Sequence, residues 1–595
     1  MRTDEPFAQP IELLHEADAT GRGTMRCLFD RCASGRHAGY QRTRWRGLCG
    51  QHGCGRGRHR DGGEEWERDL SHGQRYRHRS RAATLLRMSS DSTVPTAPLS
   101  LTRAEMQALG DRALAMVIDH FEHIRQERTH DSMPREEAVS LLQTPLDEQP
   151  VSPDVLLDTL ARHVFPKGFR TDHPRFYAFV PSPTNFVSVV GDLLTSGHNL
   201  FAGYWFAASG AAQIELTVLE WLQRACGYGE GAGGIFLSGG SMANLSAIVA
   251  AREACLGAHD ARAVVYYPDQ THSSVSKALR VLGFSKAQRR MVATTDDFRL
   301  DVGALEAAIA TDRANGMRPF CVVANAGTTN TGAVDPLHDI ADLSEREGLW
   351  LHVDGAYGAA AVLHPRGKAA LSGLERADSI TLDPHKWLFQ PYELGCLLVR
   401  DARHLHHAFR VSDDDHADYL ADVARHTYED VNFFDRGIQL TRSFKALKLW
   451  LSLRTFGLAA FRDAIQVGFD VADFAQQWLE ASGQWDIVTP SQMGIVSFRW
   501  RGEGMSDAQV DALTARTADR MREDGYATIM STILRGRPTF RVCPIHWDAN
   551  VGEMAEALKS GEKRWDDRSW TSGDGLKLHF RRSPPRFPSI ASSPR

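Results

Sequence analysis

One lysine in this chain has two incompatible readings. In the stretch SITLDPHKWLFQPYELG, residues 379–395, Lys386 follows a short apolar run that reads as a strand and precedes Trp387, Leu388 and Phe389. As an ordinary surface residue it would lay its stem along these neighbours and push its ammonium into water. As a desolvated amine it would have a lowered pKa, be neutral near physiological pH and attack a carbonyl to form a Schiff base. What stands at the ends of the other strand-like runs decides between the two.

Four of those ends carry residues suited to the second reading. Asp354 closes the mostly apolar LWLHVD; alone it could simply cap a turn. The turn SGGSMAN, residues 238–244, joins the run GGIFLS to a helical pattern, so its free N–H groups and the positive helix end suit an anion, with Gly240 and Ser241 as the ligands. Close packing alone would also explain such a turn. His272, in DQTHSSV, offers a flat imidazole or an ordinary helix start, and Thr329, in NAGTTNTGAVDPL, offers a hydroxyl. An amine, a buried carboxylate, an anion cradle and something flat are together what a pyridoxal phosphate site needs. Beside Lys386, Asp354 could keep the pyridine nitrogen of that cofactor protonated.

The elements that must position these groups alternate in type. Strand-like GGIFLS, ARAVVYYP, PFCVVANAG, LWLHVDGA and SITLDP are interleaved with helical MANLSAIVAAREACLG, SSVSKALRVLG and PLHDIADLSEREG. That alternation predicts an α/β fold with a large, mostly parallel sheet covered by helices, whose ligands sit at the carboxyl ends of the strands. Upstream, Met106, Leu109, Leu114, Val117, Ile118 and Phe121 recur at helical spacing behind Thr102-Arg-Ala-Glu105, a capping box. Downstream of about Lys445 come two long helical patterns, LKLWLSLRTFG and FRDAIQVGFDVADFAQQWLEASG, then MGIVSFRW and PTFRVCPI, which predict a smaller α+β unit. The expected organisation is a leader at 1–87, an N-terminal helical segment at 88–185, a cofactor domain at 186–445, a small domain at 446–565 and a disordered tail at 566–595.

The first 87 residues hold seventeen arginines, no lysine and four of the nine cysteines. Their net charge is +6, which leaves −11 on the remainder of a chain whose total is −5. A basic, poorly foldable leader on an acidic enzyme body is the simplest description. Cys27-x4-Cys32 and Cys49-x4-Cys54 could form a zinc module that binds nucleic acid, but they lack the flanking apolar alternation, and neither metal nor nucleic acid is expected. The other cysteines show no pairing pattern, and no basic-then-apolar signal or membrane-length run occurs, so a cytoplasmic protein is expected.

SGGSMANL, DQTHSSV, NAGTTNTGAVDPL, HVDGAYG and DPHKW, in this order, resemble the group II pyridoxal phosphate decarboxylases, the family of aromatic-amino-acid, histidine and glutamate decarboxylases, from about Leu101 to about Leu558. The resemblance implies an aspartate-aminotransferase-like fold and a homodimer with shared active sites. It implies Lys386 as the cofactor lysine, Asp354 as partner of the ring nitrogen, His272 stacked on the ring, Thr329 beside it, and Gly240, Ser241, Ser379 and Asp383 around the phosphate. Tyr419 matches the family's catalytic-loop tyrosine, which protonates the substrate carbon, and Arg442 matches an arginine near the site. Residues 171–182, TDHPRFYAFVPS, match the segment lining the substrate pocket, with Val180 and Ser182 facing substrate beside His272. Aromatic-amino-acid decarboxylases carry tryptophan and phenylalanine where this chain has Thr171 and Val180. The expected reaction is therefore decarboxylation of a neutral apolar L-amino acid, branched aliphatic such as valine or aromatic, to its primary amine. Transamination or aldehyde formation on the same cofactor is the alternative.

Overall fold

A computed structural model describes residues 99–146, 148–410 and 431–565. The leader, the tail and Tyr419 lie outside them. Helix α1 (Arg103–His123) begins as the capping box requires: the Glu105 N–H donates to Thr102 Oγ1, and the Thr102 N–H donates to the Glu105 carboxylate at 2.7 Å. None of its residues is buried, although one face is apolar.

Seven strands build the main sheet: β1 (Gly233–Leu237), β2 (Ala263–Pro268), β3 (Arg289–Val292), β4 (Arg318–Asn325), β5 (Trp350–Asp354), β6 (Ser379–Leu382) and β7 (Gly395–Val399), in the order β1-β7-β6-β5-β4-β2-β3. All neighbours run parallel except β7, which is antiparallel to both β1 and β6. Every residue of β1, β5, β6 and β7 is buried, as a sheet covered on both faces demands. The parallel strands therefore deliver their carboxyl ends to one edge, where α2 (Gly240–Leu256) leaves β1 and α3 (Ser273–Val281) follows β2. At that edge β7 starts tightly under the turn after β1. A Cβ on Gly395 would lie 2.4 Å from the Gly239 Cα, so glycine is what allows the approach.

The span α4 (Leu447–Ser482) holds the two expected helical patterns, divided by a kink at the end of the first. Its interruption is Gly457 at φ 76°, a left-handed turn that a side chain would strain. Beyond it, β8 (Trp485–Gln492), β9 (Ile495–Trp500), β10 (Met530–Leu534) and β11 (Arg537–Val542) form an antiparallel sheet in the order β8-β9-β11-β10. This sheet encloses its own apolar cluster around Trp485, Phe498 and Phe540, which also takes in Tyr177 from the N-terminal segment.

Three of the buried histidines are strongly shifted: burial pushes their pKa values down, to about 3 for His173 and about 4 for His352 and His546. A group depressed on folding keeps its stability contribution above the unfolded pKa near 6.5 and loses it as pH falls towards the folded value. Between pH 7.5 and 5.5 unfolding free energy should thus fall by about 1.4 kcal/mol per site, partly offset by His120, which Asp172 raises. Urea midpoints measured across that window test this, and a flat profile would contradict it.

Candidate active site

At the carboxyl edge of the main sheet lies a cavity of about 420 Å³. Gly240, Ser241, His272, Thr329, Asp354 and Lys386 line it, from the ends of five strands or the turns after them, together with Asp383. One end of the cavity is the start of α2. There the N–H groups of Gly240 and Ser241 belong to the first turn of a helix and have no carbonyl four residues back to bond. A Cβ on Gly240 would meet Asp383 Oδ2 at 2.8 Å and the Ala356 Cβ at 3.0 Å, so a glycine keeps this end open.

Asp354 stands elsewhere in the cavity wall as the last residue of β5. Its Oδ2 accepts a hydrogen bond from Asn244 Nδ2 at 2.9 Å and its Oδ1 one from the Ala356 N–H at 3.2 Å. Lys386 follows β6, and its Nζ lies 3.0 Å from Asp383 Oδ2. The expectation of a lowered lysine pKa is reversed here. Burial does pull it down, but the Asp383 and Asp354 carboxylates outweigh burial and hold the ammonium above the ordinary lysine value. The carboxylates, rather than the apolar wrapping of Trp387 and Phe389, set the charge state. His272 is shifted the other way, below the usual histidine value, chiefly by burial.

The donor set fits pyridoxal phosphate. It presents anion-binding N–H groups, a reactive amine and a carboxylate for the ring nitrogen around one cavity, while Asp383 Oδ1 is buried without a partner.

Several expected site residues stand elsewhere. Ser379 begins β6, at the opposite end of that strand from Asp383; its Oγ accepts the Trp350 indole N–H and meets His352 Nδ1, both at 2.9 Å, and it does not line the cavity. Ser182 is turned towards the main chain, with its Oγ donating to the His385 carbonyl, so it braces the Lys386 loop instead of facing the cavity. Val180 packs against the main core and does not line the cavity either. Arg442 is fully buried away from it. Its guanidinium pairs with Glu215, donates to the Ala202 and Phe236 carbonyls, and covers the Phe433 ring. Since Glu215 also accepts the Phe236 N–H, the pair clamps β1 two residues ahead of the Ser238 turn.

Sequence reasoning missed Asn244, Ser274 and Arg541. Asn244 lies four residues beyond Gly240 on the same helix face, which is a usable signal. Arg541 is buried in β11, with Nη1 bonded to the Phe179 carbonyl and with Nε and Nη2 unpartnered. It sits beside Cys543, whose thiol is 3.8 Å from the Tyr357 hydroxyl at the cavity wall. A buried cation with two open donors is suited to an anion, and nothing in the spacing of PTFRVCPI indicated it.

The conserved domain of pyridoxal-dependent decarboxylases matches residues 135–501. The chain belongs to the pyridoxal-dependent decarboxylase family. As a member it is a pyridoxal-phosphate-dependent carboxy-lyase with the α/β fold of such enzymes. The decarboxylase is 43% identical over 461 residues to an aromatic-L-amino-acid decarboxylase of Bacillus atrophaeus, covering 77% of this chain and 95% of that protein. It is 28% identical over 451 residues to a phenylacetaldehyde synthase of Petunia hybrida, covering 73% of this chain and 88% of that one. Its structure is similar to that of Oryza sativa TDC crystallised with PLP and tryptamine, with a TM-score of 0.73, 28% identity and coverage of 78% of this chain and 98% of that chain. No helix among the described residues is long and apolar enough to cross a membrane.

Proposed function

We propose that the decarboxylase converts a neutral apolar L-amino acid, aromatic in the first instance, to its primary amine and carbon dioxide, with Lys386 as the lysine that binds the cofactor. The observation that carries this reading is the meeting of Lys386, Asp354 and the α2 N-terminus around one cavity. The 43% identity to an aromatic-L-amino-acid decarboxylase supports the aromatic choice over valine. When bound, pyridoxal phosphate supplies the sink for the electron pair left on the substrate α-carbon as carbon dioxide departs. Asp354 would accept a hydrogen bond from the ring nitrogen, the N–H groups of Gly240 and Ser241 would bind the phosphate, and His272 and Thr329 would contact the ring. Lys386 would hold the cofactor.

Tyr419, assigned from sequence alone, delivers the proton to the α-carbon. Tyr419→Phe should keep substrate affinity while amine formation falls by about 10²–10⁴-fold, the usual general-acid contribution. Aldehyde formation is the second reading, favoured by the similarity to a phenylacetaldehyde synthase. A screen of the purified enzyme against the twenty amino acids, following amine, carbon dioxide, aldehyde and oxygen together, separates the two. Aromatic substrates yielding amine without oxygen uptake support decarboxylation; stoichiometric aldehyde and oxygen consumption would replace it.

Four finer points belong to the same reading. The exposed apolar side chains Met106, Leu114 and Ile118 of α1 fit cover by a second copy, in a homodimer that shares its active sites. The unpaired cysteines Cys226, Cys255, Cys321, Cys396 and Cys543 fit a reducing cytoplasm. Domain boundaries near 185 and 445 fit the two sheets. Val180, Ser182 and Arg541 all stand outside the cavity lining, so none of them is assigned the substrate carboxylate.

A further inference from the structure

Behind the cavity wall runs a buried hydrogen-bond net whose members come from four strands or the turns after them. Its centre is Asn244, which is 1% exposed. The amide nitrogen of Asn244 donates to Asp354 Oδ2 and to Ser274 Oγ, both at 2.9 Å. Its amide oxygen meets Thr381 Oγ1 at 2.7 Å and His352 Nε2 at 3.1 Å. Ser274 Oγ continues to His272 Nδ1 at 2.9 Å, and His352 Nδ1 continues to Ser379 Oγ, which takes the Trp350 N–H.

The direction of every bond follows from the inventory of donors and acceptors. A carboxylate accepts, so the atom of Asn244 facing Asp354 is the NH₂ and the carbonyl must face His352 and Thr381. An amide carbonyl cannot donate, so His352 carries its proton on Nε2. The Ser274 backbone N–H already donates to His272 Nδ1 at 3.3 Å, which requires a lone pair there. Ser274 Oγ, having accepted from Asn244, therefore sends its own proton to the same nitrogen, and His272 carries its proton on Nε2. The ring lines the cavity, and among the described residues no hydrogen bond to Nε2 is seen.

We propose that Asn244 is a positioning residue that, through one amide, holds the Asp354 carboxylate directly and, through Ser274 Oγ, reinforces the Nε2–H tautomer of His272 that the Ser274 N–H selects, so that His272 serves the reaction as a hydrogen-bond donor and not as a base. The inference rests on the reading that these two residues face the cofactor. Its consequence is coupling: disturbing the amide changes the two groups together, although they lie on different strands. The depressed histidine value agrees with a ring kept neutral.

The test uses cofactor affinity, from quenching of tryptophan fluorescence as pyridoxal phosphate is added to the apoenzyme between pH 6 and 9, alongside kcat, KM and melting temperature. Asn244→Ala should weaken cofactor binding by about 10–100-fold, the range for groups that orient a ligand. Asn244→Asp keeps the shape but faces Asp354 with a second carboxylate; two such charges 2.9 Å apart share a proton, so affinity should gain a pH transition that the wild type lacks. Ser274→Ala, which cuts only the branch to His272, should leave cofactor affinity within about threefold while lowering kcat and shifting its pH profile. If the variants lower the melting temperature but leave affinity and both pH profiles as in the wild type, the net is merely structural and the proposal falls. A wild-type protein that binds no cofactor would instead overturn the underlying site reading, and this inference with it.

Discussion

Lys386→Ala and Lys386→Arg are both expected to fold, to lose the visible absorbance of the lysine-bound cofactor and to lose at least about 10³-fold in turnover. The two variants separate chemistry from electrostatics. Alanine removes the cation that faces Asp383, a carboxylate only 1% exposed with one unpartnered oxygen, so it should also lower stability, by the few kcal/mol that breaking a buried pair costs. Arginine restores a cation opposite Asp383 but cannot attack a carbonyl near neutral pH. Its melting temperature should therefore stay nearer the wild type while its absorbance stays as blank as that of alanine. The raised pKa of Lys386 adds a kinetic signature. Nitrogen must shed a proton before it can bond to carbon, so loading of the wild-type apoenzyme should speed up about tenfold per pH unit through the neutral range. Stopped-flow absorbance measures this. A variant that stays yellow, or a loading rate indifferent to pH, would place the reactive amine elsewhere.

The parts of this site that could be read from sequence are those where local chemistry and local structure coincide. Lys386, Asp354, His272 and the Gly240 turn each end a strand-like run, and a parallel sheet brings such ends to one edge whatever the loops do. Ser379 was misplaced because it lies in the same motif as Lys386 but at the far end of β6; one strand of four residues separates the two edges of the sheet. Strands β3 and β7 went unseen for different reasons. RRMV at the sheet edge is basic and half-exposed, while GCLLV follows the Lys386 loop so closely that its antiparallel return has no periodic signal. Charge was the harder failure. Apolar neighbours in sequence suggest a desolvated, neutral amine, whereas the two carboxylates that decide its state come from 32 residues upstream and from three residues away, Asp354 and Asp383. Arg541 depends likewise on contacts made across the fold, which spacing does not encode, whereas Asn244 carries a signal in its place four residues beyond Gly240 on one helix.

Asp354→Asn is expected to retain the cofactor at lower affinity and to lose turnover by at least about 10³-fold, because an amide has no charge with which to keep the ring nitrogen protonated. The surroundings make this substitution harsher than its size implies. Asp354 accepts from Asn244 Nδ2 on one oxygen and from the Ala356 N–H on the other, so whichever way the new amide turns, its NH₂ opposes another donor. If Asn244 flips to relieve this, its carbonyl leaves His352 and Thr381 and its NH₂ meets their donors instead. Lost charge and a disordered net predict different repairs. A cofactor analogue methylated at the ring nitrogen carries a fixed positive charge, so it should restore turnover of Asp354→Asn in so far as protonation was what the carboxylate supplied. It cannot repair the net. The experiment compares kcat for the two cofactors in Asp354→Asn and in Asn244→Ala: strong rescue in the first with little in the second assigns the charge to Asp354 and the geometry to Asn244. Near-normal activity of Asp354→Asn with the natural cofactor would put the partner of the ring nitrogen on another residue.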